Sequence, residues 1–96
     1  MKVTFSNGVE IPIFSAVENI DPDQAAVLLV LRTTEKLDLD TIYMQIIDGI
    51  DKIIVTEDSG ATVEFDDYKK IAAIQNIVTD NKFEAMITLS KRSVIE

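Results

Sequence analysis

Alternating polar and apolar residues at the start of the chain predict a β-hairpin. Val3 and Phe5 share one face of residues 2–6, and Asn7-Gly8 follows, a dipeptide that tolerates the positive φ angles of a type I′ turn. The alternation resumes over residues 9–17 and is interrupted at Pro12. Because proline cannot donate a ladder hydrogen bond, we expect this second strand to be an edge strand or to be bulged at Pro12.

A continuous apolar segment then predicts a buried strand. Residues 18–24 are rich in Asp, Asn and Pro, which is typical of a loop. Residues 25–33 are almost wholly apolar, which favours a central strand covered on both faces, although a buried helix has the same signature. The flanking Pro22 and Thr33-Thr34 favour the strand.

The clearest helix lies in the middle of the chain. Asp38 is placed to cap its N-terminus, and Asp40 adds negative charge to its first turn, where the helix dipole favours it. Gly49 suits a left-handed position after its end. At roughly ten residues the helix must pack on a sheet to be stable. Its apolar side chains recur at helical spacing: Leu39, Ile42, Tyr43, Ile46 and Ile47.

The second half of the chain predicts two further hairpins. Residues 52–57 and 61–65 have strand character, with a turn at Asp58-Ser59-Gly60. Residues 68–78 fit a helix or a strand, and we favour the strand, because residues 79–82 form a plausible turn before a strand at 83–89. Residues 90–96 mix charged and apolar side chains, and we expect residues 93–96 to be frayed.

Together these elements predict one α+β domain over residues 1–96. We expect a mainly antiparallel sheet, or a partly open β-barrel, built of hairpins with one short helix packed on it. The predicted core consists of Phe5, Ile11, Leu29, Leu31, Ile42, Ile46, Ile53, Val55, Phe65 and Leu89.

Composition narrows the partners that the chain can bind. Nine Lys and Arg against 17 Asp and Glu give a net charge of −8, which opposes binding to nucleic acid or to an anionic membrane. The most apolar stretch has seven residues, far fewer than the roughly 20 of a membrane helix. The N-terminus also lacks a signal peptide. We therefore expect a soluble protein made in the cytoplasm.

No residue pattern in the chain predicts catalysis. The absence of His and Cys removes the commonest general base, the thiol nucleophile and the usual transition-metal ligands. Ser90 and Lys91 are only sequence neighbours, which face opposite sides of a strand. We therefore predict no enzyme activity, no catalytic or cofactor-binding residues and no metal site. The acidic pairs lie where Asp serves turns and helix ends: Asp21 and Asp23, Asp38 and Asp40, Asp48 and Asp51, Glu57 and Asp58, Asp66 and Asp67.

Aromatic and basic residues receive similarly structural interpretations. Without a basic groove around them, the four phenylalanines are expected in the core rather than on a stacking platform. The pairs Lys69-Lys70 and Lys91-Arg92 are expected on solvated faces or as edge-strand gatekeepers. The phenylalanines are Phe5, Phe14, Phe65 and Phe83.

The order of the elements resembles small phage and prophage proteins of Gram-positive bacteria that are encoded among virion structural genes. The resemblance covers residues 1–92 and defines no functional residue. It implies a non-catalytic structural or assembly protein, tail- or baseplate-associated, that contacts other virion components and in some cases itself. The alternative is a small acidic inhibitor or adaptor that binds a basic protein surface. The segments that carry the resemblance are 1–11, 28–31, 52–60, 65–68 and 85–91.

Overall fold

Eight strands and one helix make up the protein in a computed structural model, which describes residues 1–23 and 25–92. The helix α1 spans Leu39–Ile46 and is followed by a 3₁₀ turn at Ile47–Gly49. The strands are β1 (Lys2–Phe5), β2 (Glu10–Pro12), β3 (Ser15–Asp21), β4 (Ala26–Thr33), β5 (Lys52–Thr56), β6 (Thr62–Asp66), β7 (Lys70–Thr79) and β8 (Lys82–Arg92).

The strands form two antiparallel sheets of four strands each. Sheet 1 has the order β2-β1-β5-β6, and sheet 2 has the order β3-β4-β8-β7. The predicted antiparallel α+β architecture is confirmed, with two open sheets in place of a barrel. The strand preferred for residues 68–78 is confirmed as β7. The predicted fraying falls on residues 93–96, outside the described residues, but Ser90–Arg92 belong to β8.

The chain crosses between the sheets where one continuous strand was expected. The ladder of β2 ends at Pro12, and Ile13 and Phe14 lead into β3, so the predicted strand at 9–17 is two edge strands in different sheets. Pro12 is tolerated in this edge strand because the ladder needs no hydrogen bond from its nitrogen, and the Ile13 amide closes the ladder by donating to the Met1 carbonyl at 3.0 Å. The predicted loop at 18–24 is wrong over its first half, since β3 continues to Asp21.

Tight turns set the hairpin registers. The loop after β1 is not the type I′ turn predicted over Asn7-Gly8, because Gly8 alone of these two residues has a positive φ, of 92°. Its Gly8 amide donates to the Phe5 carbonyl at 2.9 Å, and the loop before β6 repeats this pattern with Gly60. Between β7 and β8 the expected hairpin turn is confirmed, with positive φ at Asp80 and Asn81.

Helix α1 begins as the sequence predicts and ends differently. The side chain of Asp38 accepts a hydrogen bond from the Thr41 amide at 3.3 Å, which is an N-cap. Gly49 does not adopt a positive φ. Instead it lies so close to the β1–β2 hairpin that a Cβ would come within 2.6 Å of the Asn7 Oδ1 atom and 3.0 Å of the Phe5 Cβ atom. Gly49 is therefore required by close packing.

One hydrophobic core joins both sheets and the helix. Nine of the ten predicted core residues are buried, and Phe65 is partly buried against them. The prediction that the phenylalanines lie in the core is wrong for Phe14, which is exposed, and for Phe83, which is half-buried outside the core. Tyr68 was missed and is fully buried. The other buried hydrophobic residues are Val3, Ile13, Ile50, Ala85 and Ile87.

Candidate protein-interaction surface

The outward face of sheet 1 is polar, as is typical of a face that is exposed to solvent. Ion pairs cross neighbouring strands, with Lys2 Nζ 3.1 Å from Glu10 Oε1 and Lys52 Nζ 2.9 Å from Glu64 Oε1. Hydrogen bonding and the nearby opposite charge raise the pKa of Lys52 and lower that of Glu64. Ile54 is the one large apolar side chain on this face, and it is half-buried.

The outward face of sheet 2 is apolar at the centre of β4 but mixed on β8, which presents Glu84, Met86 and Thr88 outward, with Glu84 paired to Arg32. Alternation from the buried Leu29 and Leu31 places Leu28 and Val30 outward, where both remain partly exposed. The prediction that this strand is covered on both faces is therefore wrong, since only the inner face of β4 is fully buried. Neighbouring strands add further outward apolar side chains, namely Val17 on β3, Met86 on β8, and Ala73 and Ile77 on β7.

Strand β7 forms an unusually neutral edge to this sheet. It is ten residues long, and residues 71–79 contain no Asp, Glu, Lys, Arg or Pro. Val78 is 71% exposed and Ile77 is 37% exposed. Edge strands are ordinarily protected from further pairing by charges, proline, a bulge or short length. Within residues 71–79, the bulge at Ala72 is the only one of these features.

The other three edges of the described sheets carry those protective features. Strand β2 has three residues and ends in Pro12. Strand β6 has Glu64 at its centre, and β3 has Glu18 at its centre. Strand β7 is therefore the edge that most readily accepts another strand.

A groove runs between β7 and the exposed side of α1. It has a volume of about 550 Å³, and its walls are mainly apolar. Met44, 70% exposed, and Tyr43 form the helical wall, opposite Ile71 and Ile74. An apolar side chain entering along the β7 edge would find contacts on both sides of this groove.

Four basic side chains gather at one end of β7, although the sequence predicted them only as two separate pairs. Pairing of β7 with β8 brings Lys69 and Lys70 together with Lys91 and Arg92 around a cleft of about 390 Å³. The Lys91 ammonium donates to the Asp66 carbonyl at 3.0 Å and lies 4.8 Å from the centroid of the Tyr68 ring. This cluster is a local positive region on an acidic protein.

Tyr68 anchors the connection between the two sheets. It follows β6 of sheet 1 and precedes β7 of sheet 2, and its hydroxyl donates to Glu18 Oε2 on β3 at 2.5 Å. Burial, the hydrogen bond and the Glu18 charge together raise the pKa of Tyr68 well above its ordinary range. A buried titratable group can indicate a reactive site, but this ring is held by packing and its one polar atom is paired.

Asp21 serves a turn and Asp38 a helix cap, as predicted, whereas Asp51 and Asp58 contact segments far away in sequence. Asp21 Oδ1 accepts from the Asp23 amide at 3.1 Å, and Asp58 pairs with the N-terminal ammonium. A hydrogen bond from Ser6 at 2.7 Å lowers the pKa of Asp51. Across residues 1–23 and 25–92, no three acidic side chains meet in a group that could hold a metal ion. The surface thus offers strand pairing and apolar contact.

Comparison with protein-family models, with curated proteins and with solved structures finds no match to this chain. No helix among the described residues has the length and apolar character needed to cross a membrane. The geometry of the surface is therefore the main basis for a function.

Sequence reasoning missed most of this surface. The signal that could have revealed it is the unbroken run of large apolar residues at 27–31, which needs cover on two faces in a chain with one short helix to supply it. The neutral edge could also have been recognised in the sequence, because residues 71–79 are the longest uncharged segment of any edge strand.

Proposed function

We propose that this chain is a non-catalytic structural or assembly protein that acts by binding other proteins. The observation that carries this proposal is the neutral β7 edge, which borders the partly apolar outward face of sheet 2. Strand addition to such an edge supplies main-chain hydrogen bonds, and flanking apolar side chains add affinity and specificity. Exposed contiguous apolar surface of this kind marks interaction sites on soluble proteins.

The setting that we propose is a phage-type particle, with the protein associated with the tail or baseplate. This part rests on the resemblance of the whole element order to small phage and prophage proteins. Virion proteins act by repeated contacts with neighbours, and a small domain with one open sheet edge suits that role.

The particle proposal can be tested by deleting the gene from the phage or prophage that encodes it. We expect loss of complete tailed particles, counted by electron microscopy, and recovery when the wild-type chain is supplied in trans. A Val17→Lys variant, which places a charge on the outward face of sheet 2, should fail to restore them. Thr56→Lys, on the outward face of sheet 1, is the matched control and should restore them. Normal particle numbers without the gene would contradict the proposal.

A second candidate function is that of an acidic inhibitor or adaptor of a basic protein. The observation in its favour is the charge distribution, because the basic cleft holds four of the nine Lys and Arg and leaves five against 17 acidic residues elsewhere in the sequence. Binding of this kind should weaken steeply with salt, since charge interactions are screened over about 10 Å at 0.1 M. Affinity for a basic partner that is unchanged between low and high salt would exclude it.

A further inference from the structure

The distribution of charge among the sheet edges narrows what can pair with β7. An antiparallel self-pairing of β6 would place Glu64 opposite its own copy, and self-pairing of β3 would do the same with Glu18. Like charges directly opposite each other destabilise a strand pair. Among the described edges, β7 alone offers a strand-length surface on which two copies of this acidic chain can meet without that repulsion.

We infer that two copies of the chain pair antiparallel along β7, around a two-fold axis at Gln75, and so join two four-stranded sheets into one of eight strands. The inference deepens the proposed function by naming a second copy as one partner, and it rests on β7 being the binding edge. A C2 arrangement is the commonest symmetry of soluble homo-oligomers.

The side-chain faces of β7 agree with this register. Pairing with β8 shows that Ala73, Gln75 and Ile77 face outward, whereas Ile74 and Val78 face the core side. With Gln75 opposite its copy, Ala73 meets Ile77 of the second copy. The bulge leaves Ala72 without a partner in the ladder, and Ile71 therefore lies opposite Val78 of the second copy. Ile77 and Val78, the two exposed apolar residues of β7, therefore each lie opposite an apolar residue on the same face of the joined sheet.

The same register gives the α1 groove an occupant. Ile71 lines the groove together with Tyr43 and Met44, and the register places Val78 of the second copy opposite Ile71. Val78 is the most exposed apolar residue of β7. Its burial in the groove would therefore remove the largest exposed apolar area of this edge from water.

Charges at the ends of the strand complement each other. Beyond the paired residues, Lys69 faces Asp80 of the second copy at both ends of the two-fold arrangement. Lys70 lies opposite Thr79, and Lys82 is one strand further away on β8. The two Lys69–Asp80 contacts oppose the net repulsion between chains of charge −8 and favour this register over shifted ones.

The register is tested by a charge-swap experiment on the purified full chain. Light scattering after size-exclusion chromatography should give twice the 10.7 kDa chain mass for the wild type. Gln75→Lys and Gln75→Glu should each weaken dimerisation about tenfold or more, because like charges then meet across the axis. Mixed in equal amounts, the two variants should form a heterodimer. Asn19→Lys, an equally outward carboxamide on the β3 edge, is the matched control and should remain dimeric.

Three outcomes would overturn the inference. They are a wild-type chain that stays monomeric at high concentration, a Gln75→Lys variant that dimerises as the wild type does, and a mixture that shows no heterodimer. Circular dichroism checks that the variants are folded. Where a Gln75 variant is not, Val78→Lys gives a second test, because it places a charge opposite Ile71 of the second copy and should also weaken dimerisation. Because the experiment uses the chain alone, its failure leaves the particle experiment intact, and particle assembly through β7 without dimerisation would separate the two proposals.

Discussion

The two sheets share one core but present opposite surfaces to solvent. The outward face of sheet 1 carries ion pairs between neighbouring strands, and Pro12 and Glu64 protect its two edges from further strand pairing. Sheet 2 has one ion pair on its outward face, Arg32 with Glu84, but leaves Leu28 and Val30 partly exposed and ends in β7, which is uncharged over residues 71–79. Folding requires only the inner faces, and both sheets contribute apolar side chains to the core there. The difference between the outward faces is therefore not explained by folding, and sheet 2 is the side on which we propose that a partner binds.

The largest expected effect separates the inner face of β4 from its outward face. Leu29→Ala should lower the free energy of unfolding by about 2–5 kcal/mol, because it leaves a cavity in the packed core. Val30→Thr, one residue further on, should cost much less, because its outward side chain is partly exposed and the new hydroxyl can remain in contact with water. Urea denaturation measures both at a protein concentration where the chain is monomeric. Equal losses would mean that the outward face is packed like a core.

Removal of the Tyr68 hydroxyl tests the link between the sheets. Tyr68→Phe loses the hydrogen bond to Glu18, and we expect a cost of about 1 kcal/mol in unfolding free energy at neutral pH. Thermal or urea unfolding of wild type and variant gives this difference. No difference would mean that the hydrogen bond adds nothing to the anchoring of the connection.

The raised pKa of Tyr68 also predicts how stability depends on pH. The unfolded phenol ionises near pH 10, whereas the folded one holds its proton to higher pH. Stability from this group is therefore complete below about pH 10, and above it the wild type should lose about 1.4 kcal/mol per pH unit relative to Tyr68→Phe. Absorbance at 295 nm in a Tyr43→Phe background, where Tyr68 is the remaining tyrosine, follows the ionisation directly. Ionisation at pH 10 in the folded chain would contradict the burial.

Two comparably exposed apolar residues on opposite edges give a smaller effect. Ile77 on β7 is 37% exposed and Val63 on β6 is 44% exposed. Ile77→Thr should weaken self-association about tenfold, since it removes apolar area that pairing would bury. Val63→Thr should leave association unchanged. Sedimentation velocity over a concentration series measures both, and equal effects would remove the distinction between the two edges.

The smallest expected effect is on the polar face of sheet 1. Because the Lys52–Glu64 pair is exposed, Glu64→Gln should leave both the melting temperature and the self-association unchanged. Calorimetry and size-exclusion chromatography check this. A loss of association in Glu64→Gln would show that sheet 1 also carries a contact.

Local signals in the sequence predict most of the fold. Asp38, Gly60 and the Asp80-Asn81 turn each determine a boundary through their own backbone chemistry, and these boundaries are found where expected. The crossover at Ile13-Phe14 was not predictable, because alternation continues across it while the chain changes sheets. Gly49 was misread for a related reason. The contact that requires it is with Asn7 and Phe5, some 40 residues away in sequence.

The candidate surface was less predictable than the fold. Exposure of Leu28 and Val30 depends on which elements cover the sheet, and periodicity within β4 carries no information about that. The basic cleft likewise depends on the β7–β8 register, which brings two distant Lys and Arg pairs together.

Hydrogen–deuterium exchange tests the central claim most directly, because it compares the two edges in one sample. The amides of β7 and β6 are followed by mass spectrometry at low and high protein concentration. We predict that protection within Lys70–Thr79 increases as the concentration rises, whereas protection within Thr62–Asp66 does not change. Increased protection in β6 alone, or no change in either strand, would contradict the assignment of β7 as the pairing edge.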